Sequence, residues 1–442
     1  MTSSFSQGFA YRLGKLFPQT SSLSKTLAES ELVREVPKLT SMDAGAGVVI
    51  LPRESYVWFR KPDGRYTLIV LARERSPFTD LERQLLAHCP DVIRTFVQAS
   101  AGGSTAMSNM RLAARNTAME VTVARLMRGS TGNVWTPGLV LGKLRELALT
   151  KYENNPCTSG FVYFSDSEEG TDTLGARGFS FQRLEAEDLY LSEQFFDYPA
   201  SHRYVDGLGS FYLIDNEAKI LGVLRCHRLR FFSTLETSTR RHVEHLLRDS
   251  GAGSWAAWVG ANQDVTVMFP GGGLVRYQNQ TWRVLEMVHL VRAMRTFGIE
   301  EGVAETTARL AFLIAEERMG TTVFFPRHRR ISLSRVAGID RTDLGRHLSQ
   351  TITKLTIDEL VKEGLALGVL TSDGITSVGL GGDVLKVGQI IEVSRNHDSE
   401  VVGGGRTQAS IAASRHGLVL KVSEDGPVSI FEGGREMVKL FT

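Results

Sequence analysis

The 442-residue chain has three cysteines, Cys89, Cys157 and Cys226, widely separated and without a CxxC pair. That excludes a disulfide framework and the ligand spacing of a structural zinc site, and leaves each thiol as a small apolar core residue. Charge of one sign is also missing: 51 basic residues against 49 acidic give a net charge of +2. No general pull toward nucleic acid or an anionic membrane follows, so nucleic acid is not an expected partner without a local basic patch. The longest apolar stretches, such as Leu68–Ala72 and Leu418–Val422, have strand length and cannot cross a bilayer. The opening residues, MTSSFSQGFAYRLGKLF, lack the apolar centre of a signal peptide. The expectation is a cytoplasmic protein with no membrane partner. GxSxG, HExxH, P-loop and Rossmann signatures do not occur.

What is present is ordinary globular material, 42% hydrophobic and 23% charged, in a chain long enough for two or three domains. Residues 1–40 are rich in Ser and Thr and predict an arm with a short helix near Leu23–Val36. Strands are predicted at Gly47–Leu51, Tyr56–Arg60 and Tyr66–Ala72, the last two joined by the turn Pro62–Gly64. Thr79 and Asp80 open an amphipathic helix to about Ala99, with Pro90 inside it as a kink or break. Ser100–Thr105 reads as a linker. The expected division is residues 1–104, an N-terminal arm and small α/β domain, then 105–285 and 286–442.

The last two of these share a pattern, which predicts a duplicated module. Each has a strand opening on Gly (Gly160 and Gly320), an Asp-Gly pair at a later strand start (Asp206-Gly207 and Asp373-Gly374), and a late strand (Trp255–Gly260 and Leu418–Ser423). The offsets are 160, 167 and 163 residues (320 − 160, 373 − 206, 418 − 255). The fold class expected is α/β, a mixed sheet flanked by helices in each of two tandem modules, behind an N-terminal α/β region.

The C-terminal copy carries the candidate chemistry. Gly403-Gly404-Gly405-Arg406-Thr407-Gln408 leads into a short helix, Ala409–Arg415. Glycines let backbone approach a ligand closely, and a helix start offers unpaired N–H groups that suit phosphate. Arg406 adds a charge-assisted contact, and Thr407 and Gln408 add neutral donors. Glycine clusters also serve as plain flexible loops. Asp373 likewise has two readings: a turn aspartate before glycine, or a carboxylate serving a divalent metal or a ribose hydroxyl.

The order GTTVFF, DGITSVG, GGGRTQA, LVLKVSEDG resembles the diadenylate cyclase domain of bacterial DNA-integrity scanning proteins and membrane cyclases. That family shows a GALIV-type strand, a DGA motif, a GTRHRA motif and a strand ending in SEETG. The resemblance covers about residues 290–442. It implies that Asp373 serves the metal and ribose, and that Gly374, Gly404, Gly405, Arg406, Thr407, Gln408, Ser423 and Glu424 surround a nucleotide. It also implies Mg²⁺ or Mn²⁺ arriving with that nucleotide, and assembly into a homo-oligomer. Where the family has RHR this chain has Arg406-Thr407-Gln408, which removes one fixed charge and an imidazole. Since stabilising developing charge is usually the largest part of catalysis, the change favours binding over synthesis.

The leading expectation is therefore a nucleotide-binding sensor, taking a nucleotide or cyclic dinucleotide without turnover and signalling through an effector protein or assembly. The alternatives are an active di-AMP-type cyclase with Asp373 as its catalytic residue, and a ligand-free scaffold. The first copy, lacking a glycine loop, is expected to be structural. Pro326-Arg-His-Arg-Arg330 is a basic cluster best read as a solvated surface.

Overall fold

The computed structural model describes residues 2–39, 45–61, 63–74, 76–99, 106–129, 135–165, 174–175, 178–185, 189–192, 194–226, 239–247, 250–251, 253–260, 262–328, 336–337, 343–391 and 404–440. Its first helix, α1 (Thr2–Leu16), buries Phe9, Leu13 and Leu16, so the segment expected as an arm carries core residues. The helix expected near Leu23–Val36 is corrected. Ser21–Leu27 is a strand, β1, and only α2 (Glu29–Glu35) is helical there. The reason is pairing: SSLSKTL lies in unbroken antiparallel register on β4 (Tyr66–Ala72), from Ser21↔Ala72 to Leu27↔Tyr66. Sheet hydrogen bonds over seven residues outweigh a weak local helical preference.

With β2 (Ala46–Ile50) and β3 (Glu54–Arg60) these strands make an antiparallel sheet in the order β1-β4-β3-β2. The β3–β4 hairpin is the one read from the sequence. Helix α3 (Asp80–Ala99) runs on as one helix with Pro90 inside. It starts on a reciprocal cap: Thr79 N–H donates to Glu82 at 2.8 Å, and Glu82 N–H donates to Thr79 Oγ1 at 3.2 Å. The Glu82 carboxylate also holds Arg73, both side chains fully buried, while the Arg73 guanidinium lies 4.5 Å from the Phe78 ring centroid.

Helices α4 (Ala106–Arg128) and α5 (Trp135–Leu149) and a small hairpin, β5 (Lys151–Tyr152) with β6 (Asn155–Pro156), lead to the second sheet. Its strands are β7 (Ser159–Tyr163), β8 (Phe179–Arg183), β9 (Ser210–Ile214), β10 (Ile220–Cys226), β11 (Trp255–Val259), β12 (Val265–Met268), β13 (Leu274–Gln278) and β14 (Thr281–Leu285). One apolar cluster gathers Phe9, Leu85, Val123, Leu141, Phe161, Trp255 and Val284.

The third sheet contains β15 (Thr321–Pro326), β16 (Val336–Ala337), β17 (Ile375–Val378), β18 (Val384–Ile391), β19 (Gly417–Val422), β20 (Val428–Glu432) and β21 (Arg435–Leu440). The chain divides into two units, Met1–Arg230 with His242–Leu285, and Phe231–Arg241 with Glu286–Thr442.

The second and third sheets have the same topology. One reads β8-β10-β9-β7-β11-β12-β13, with β14 added at its edge; the other reads β16-β18-β17-β15-β19-β20-β21. In both, a single parallel pair (β7·β9, β15·β17) sits beside an antiparallel partner of the central strand (β11, β19). Seven strands in one order, with the parallel pair in the same place, are the structural counterpart of the repeat read from the sequence. Trp255, Trp258 and Trp282 are buried in the first copy, as apolar core.

After β16 a helix runs over Asp343–Ile352 and stops. A second helix, Ile357–Lys362, starts afresh on a capping box formed by Thr356 and Glu359. The linker expected at residues 100–105 lies outside the described residues.

Candidate functional site

Strand register brings the predicted motifs to one edge of the third sheet. The parallel pairing Val323↔Thr376 sets Asp373-Gly374, just before β17, level with Gly320, just before β15. The antiparallel pairing Thr321↔Val422 sets Ser423-Glu424, just after β19, on the other side of Gly320.

Above this edge lies the Gly405–Ser414 helix, seated on the sheet by an apolar cluster. Ala413, with Ala409 and Ile411 beside it, packs on Phe324, Ile375, Val419 and Phe431. Gly404 is its N-cap, with φ −69° and ψ 174° and no side-chain cap. Its carbonyl accepts from Thr407 N at 2.9 Å and Gln408 N at 3.2 Å, which leaves the N–H groups of Gly405 and Arg406 without a partner among the described residues. Gly404 and Gly405 are exposed, and a Cβ added at either would meet nothing within 4 Å. Packing does not require glycine at these two positions, and neither has a left-handed φ. Gly403 lies outside the described residues.

Arg406 is placed by the backbone just before β15. A Cβ at Gly320 would come within 2.6 Å of Arg406 Nη1 and 2.9 Å of Cζ, so the guanidinium rests where a side chain would be. Arg406 Nη1 donates to Glu424 Oε1 at 2.5 Å. Ser423 forms the turn that presents Glu424, its N–H donating to Pro427 O at 2.8 Å and its carbonyl accepting from Gly426 N at 2.9 Å. Gln408 is exposed on the helix's first turn.

Asp373 is exposed, and its Oδ1 accepts from Gly374 N at 3.0 Å. Gly374 has a left-handed φ of +95°, and a Cβ there would sit 2.7 Å from the Gly388 carbonyl carbon. This glycine is required by the close approach of β18. Below the edge, Ser377 Oγ donates to Gln389 Oε1 at 2.6 Å in a buried pair.

One charged residue at this edge was not read from the sequence. Lys421 of β19 donates from Nζ to Thr407 Oγ1 at 2.8 Å. Burial is the main force drawing its ammonium pKa below the usual lysine value, opposed by Glu436 and Asp425 and assisted by Lys439 and Arg406. The signal was the alternation in LVLKV. Val419 packs under the helix, so Lys421, two residues on, points the same way.

Among the described residues the first copy shows no such arrangement. Asp206 Oδ1 accepts from the N–H groups of Leu208, Gly209 and Ser210 at 2.8–2.9 Å and from Ser210 Oγ at 2.9 Å. It is committed to its own turn. A Cβ at Gly160 would meet the Phe211 ring at 2.6 Å, so an aromatic covers the glycine that the repeat matched with Gly320.

The cation implied by the resemblance can be tested against these side chains. A divalent ion needs several oxygen ligands. Among the described residues Asp373 belongs to no group of three His, Cys, Asp or Glu side chains with ligand atoms mutually within 4.8 Å. These side chains by themselves do not make a complete site for Mg²⁺ or Mn²⁺; Asp373 offers one exposed carboxylate. In the basic cluster, Arg327 pairs with Glu432 at 2.8 Å and lies over Phe297; residues 329 and 330 lie outside the described residues.

No helix among the described residues is long and apolar enough to cross a membrane. No protein-family model matches the chain, and no curated protein matches it. Solved structures resemble part of it, among them the following two. One is the crystal structure of a double mutant of DacA from Staphylococcus aureus, 17% identical, covering 32% of this chain and 88% of that one, with a TM-score of 0.22. The other is described as a hypothetical membrane spanning protein from Bacillus cereus, 14% identical, covering 35% of this chain and 72% of that one, with a TM-score of 0.26.

Proposed function

We propose that residues 286–442 form a nucleotide-binding domain whose site is the sheet edge around Gly320, and that the protein is a sensor that binds its nucleotide without turnover. The observation that carries this reading is the seating of Arg406 over Gly320, beside the open glycine start of the Gly405–Ser414 helix. A cation, unpaired backbone N–H groups and exposed glycines in one place suit a phosphate group.

In this reading Arg406 leaves or shares Glu424 to meet phosphate. Thr407 and Gln408 donate neutral hydrogen bonds, and Ser423 holds the turn that carries Glu424. Gly404 and Gly405 leave room for the ligand, and Gly374 lets the chain turn so that the exposed Asp373 carboxylate can accept a ribose hydroxyl. A bound Mg²⁺ or Mn²⁺ would neutralise charge on the phosphates. Thr407 and Gln408 carry no charge, which supports binding of a mononucleotide or cyclic dinucleotide in preference to pyrophosphate release from ATP. The first copy supports a structural role, because Asp206 is spent on its turn and Phe211 covers Gly160. The nucleotide signal would pass to an effector protein or to a second copy of this chain.

The test is thermal unfolding of the full chain with ATP, GTP, and cyclic mono- and dinucleotides in the presence of Mg²⁺, followed by chromatography of each mixture. A rise in Tm with the ligand recovered intact supports the sensor. A new dinucleotide product, lost in Asp373→Asn, would make the protein a cyclase. No shift with any nucleotide would leave the scaffold as the reading.

A further inference from the structure

Lys421 lies outside the GGGRTQA motif, and three observations give it a place in the site. The first is its face. In the antiparallel register of β15 and β19, Thr322 lies opposite Lys421 and Phe324 opposite Val419. Directly opposed residues share a face of the sheet, and Phe324 and Val419 both pack under Ala413. Thr322 and Lys421 therefore face the helix too, one step nearer its N-terminus, and Lys421 reaches Thr407 in the first turn.

The second observation is an unmet hydroxyl. Thr322 is 1% exposed, and its Oγ1 has no hydrogen-bond partner among the described residues. Buried hydroxyls are nearly always paired, so an orphan on this face marks a place for an acceptor or donor from elsewhere. The third is charge. Lys421 is half-buried, and its hydrogen bond among the described residues is to a neutral hydroxyl. Arg406, by contrast, already has a carboxylate in Glu424.

We propose that Lys421 is a phosphate-binding residue: its ammonium, with the hydroxyls of Thr322 and Thr407, forms a subsite under the first turn of the Gly405–Ser414 helix that takes one anionic phosphate of the ligand. The subsite restores, from the sheet below, a positive charge that Arg406-Thr407-Gln408 lacks. This rests on the nucleotide reading above. It adds a residue, and it specifies a ligand with a phosphate deep enough to reach β19.

The experiment uses the full chain and three probes: cyclic di-AMP, AMP and inorganic pyrophosphate, each titrated by calorimetry. The variants are Lys421→Met, Lys421→Arg, Thr322→Val and Arg406→Ala. The expected result is about 10- to 150-fold weaker binding in Lys421→Met, the range for losing a charge-assisted hydrogen bond. Lys421→Arg should recover part of it. The Tm of unliganded Lys421→Met should match or exceed the parent, while its ligand-induced rise in Tm is lost; a merely structural lysine would move the former. Thr322→Val, close in shape, should weaken binding several-fold and serves if Lys421→Met does not fold. If Arg406→Ala weakens binding while Lys421→Met and Thr322→Val bind as the parent does, the subsite is refuted and the nucleotide reading stands. If pyrophosphate binds and depends on Lys421 while neither nucleotide binds, the subsite stands and the nucleotide reading fails. If no probe binds, both fail.

Discussion

Replacing Gly320 with alanine separates stability from recognition, and the size of each effect follows from the geometry. The added methyl would lie 2.6 Å from Arg406 Nη1, 2.9 Å from its Cζ and 3.1 Å from Glu424 Cγ. All three belong to long side chains at the surface, so the guanidinium swings away and the backbone stays. Two small stability terms oppose each other. Gly→Ala at an unstrained position gains about 0.4–1 kcal/mol by restricting the unfolded chain. Disturbing the exposed Arg406–Glu424 pair loses about 0–1 kcal/mol. The net change should stay within about 1 kcal/mol. Binding should suffer more. If Arg406 meets phosphate from its seat on Gly320, losing that contact costs about 1.5–3 kcal/mol, or roughly 10- to 150-fold in Kd. Urea unfolding measures the first quantity and calorimetric titration the second. Glu424→Gln is the companion variant, expected to tighten binding a few-fold by freeing Arg406. A Gly320→Ala protein that binds like the parent would refute the placing of Arg406 against the ligand. A loss of several kcal/mol in stability would show that the guanidinium is a structural wedge.

Three other outcomes follow from the same geometry. Gly374→Ala meets backbone rather than side chain, at a left-handed φ, and should destabilise the protein by about 2 kcal/mol or more in urea unfolding. Glu82→Gln leaves the buried Arg73 guanidinium without its counter-charge and weakens the start of α3; a loss of about 3–5 kcal/mol is expected by the same assay. The Lys421 ammonium, drawn down chiefly by burial, releases its proton in the folded state at lower pH than in the unfolded chain. The unfolded state then holds more protons, so stability rises with pH in the alkaline window just below the ordinary lysine value. Phosphate affinity should fall across that same window. Comparing the parent with Lys421→Met from about pH 8 upward isolates the effect, and a flat difference would contradict it.

Much of this molecule was legible where local chemistry decides structure. The Pro-Asp-Gly turn marked the β3–β4 hairpin, and apolar spacing marked α3. The paired glycines and Asp-Gly steps marked the repeat because loops at a sheet edge must keep their turns. What sequence reading missed came from pairing partners far along the chain. Ser21–Leu27 has modest strand character by itself and becomes a strand because β4 offers it a full ladder. Asp206 and Asp373 look alike as Asp-Gly steps, yet the first is saturated by three backbone N–H groups and a hydroxyl, while the second, among the described residues, accepts only from Gly374. Lys421 was overlooked because a lysine near a strand end is ordinarily solvated. Its inward direction depends on where the Gly405–Ser414 helix lies.

The central strand of the repeated sheet also bears on how fast the site is made. β15 has no partner nearby in sequence: Val323 pairs with Thr376 and with Leu420, 53 and 97 residues further on (376 − 323 and 420 − 323). The β17–β18 and β19–β20–β21 hairpins are local and can close early, whereas β15 must wait for two long loops to close. Gly320, Asp373 and Ser423 become neighbours only when both ladders have formed. A ligand held there should thus slow unfolding while leaving the refolding rate almost untouched, since its contacts arise after the rate-limiting step.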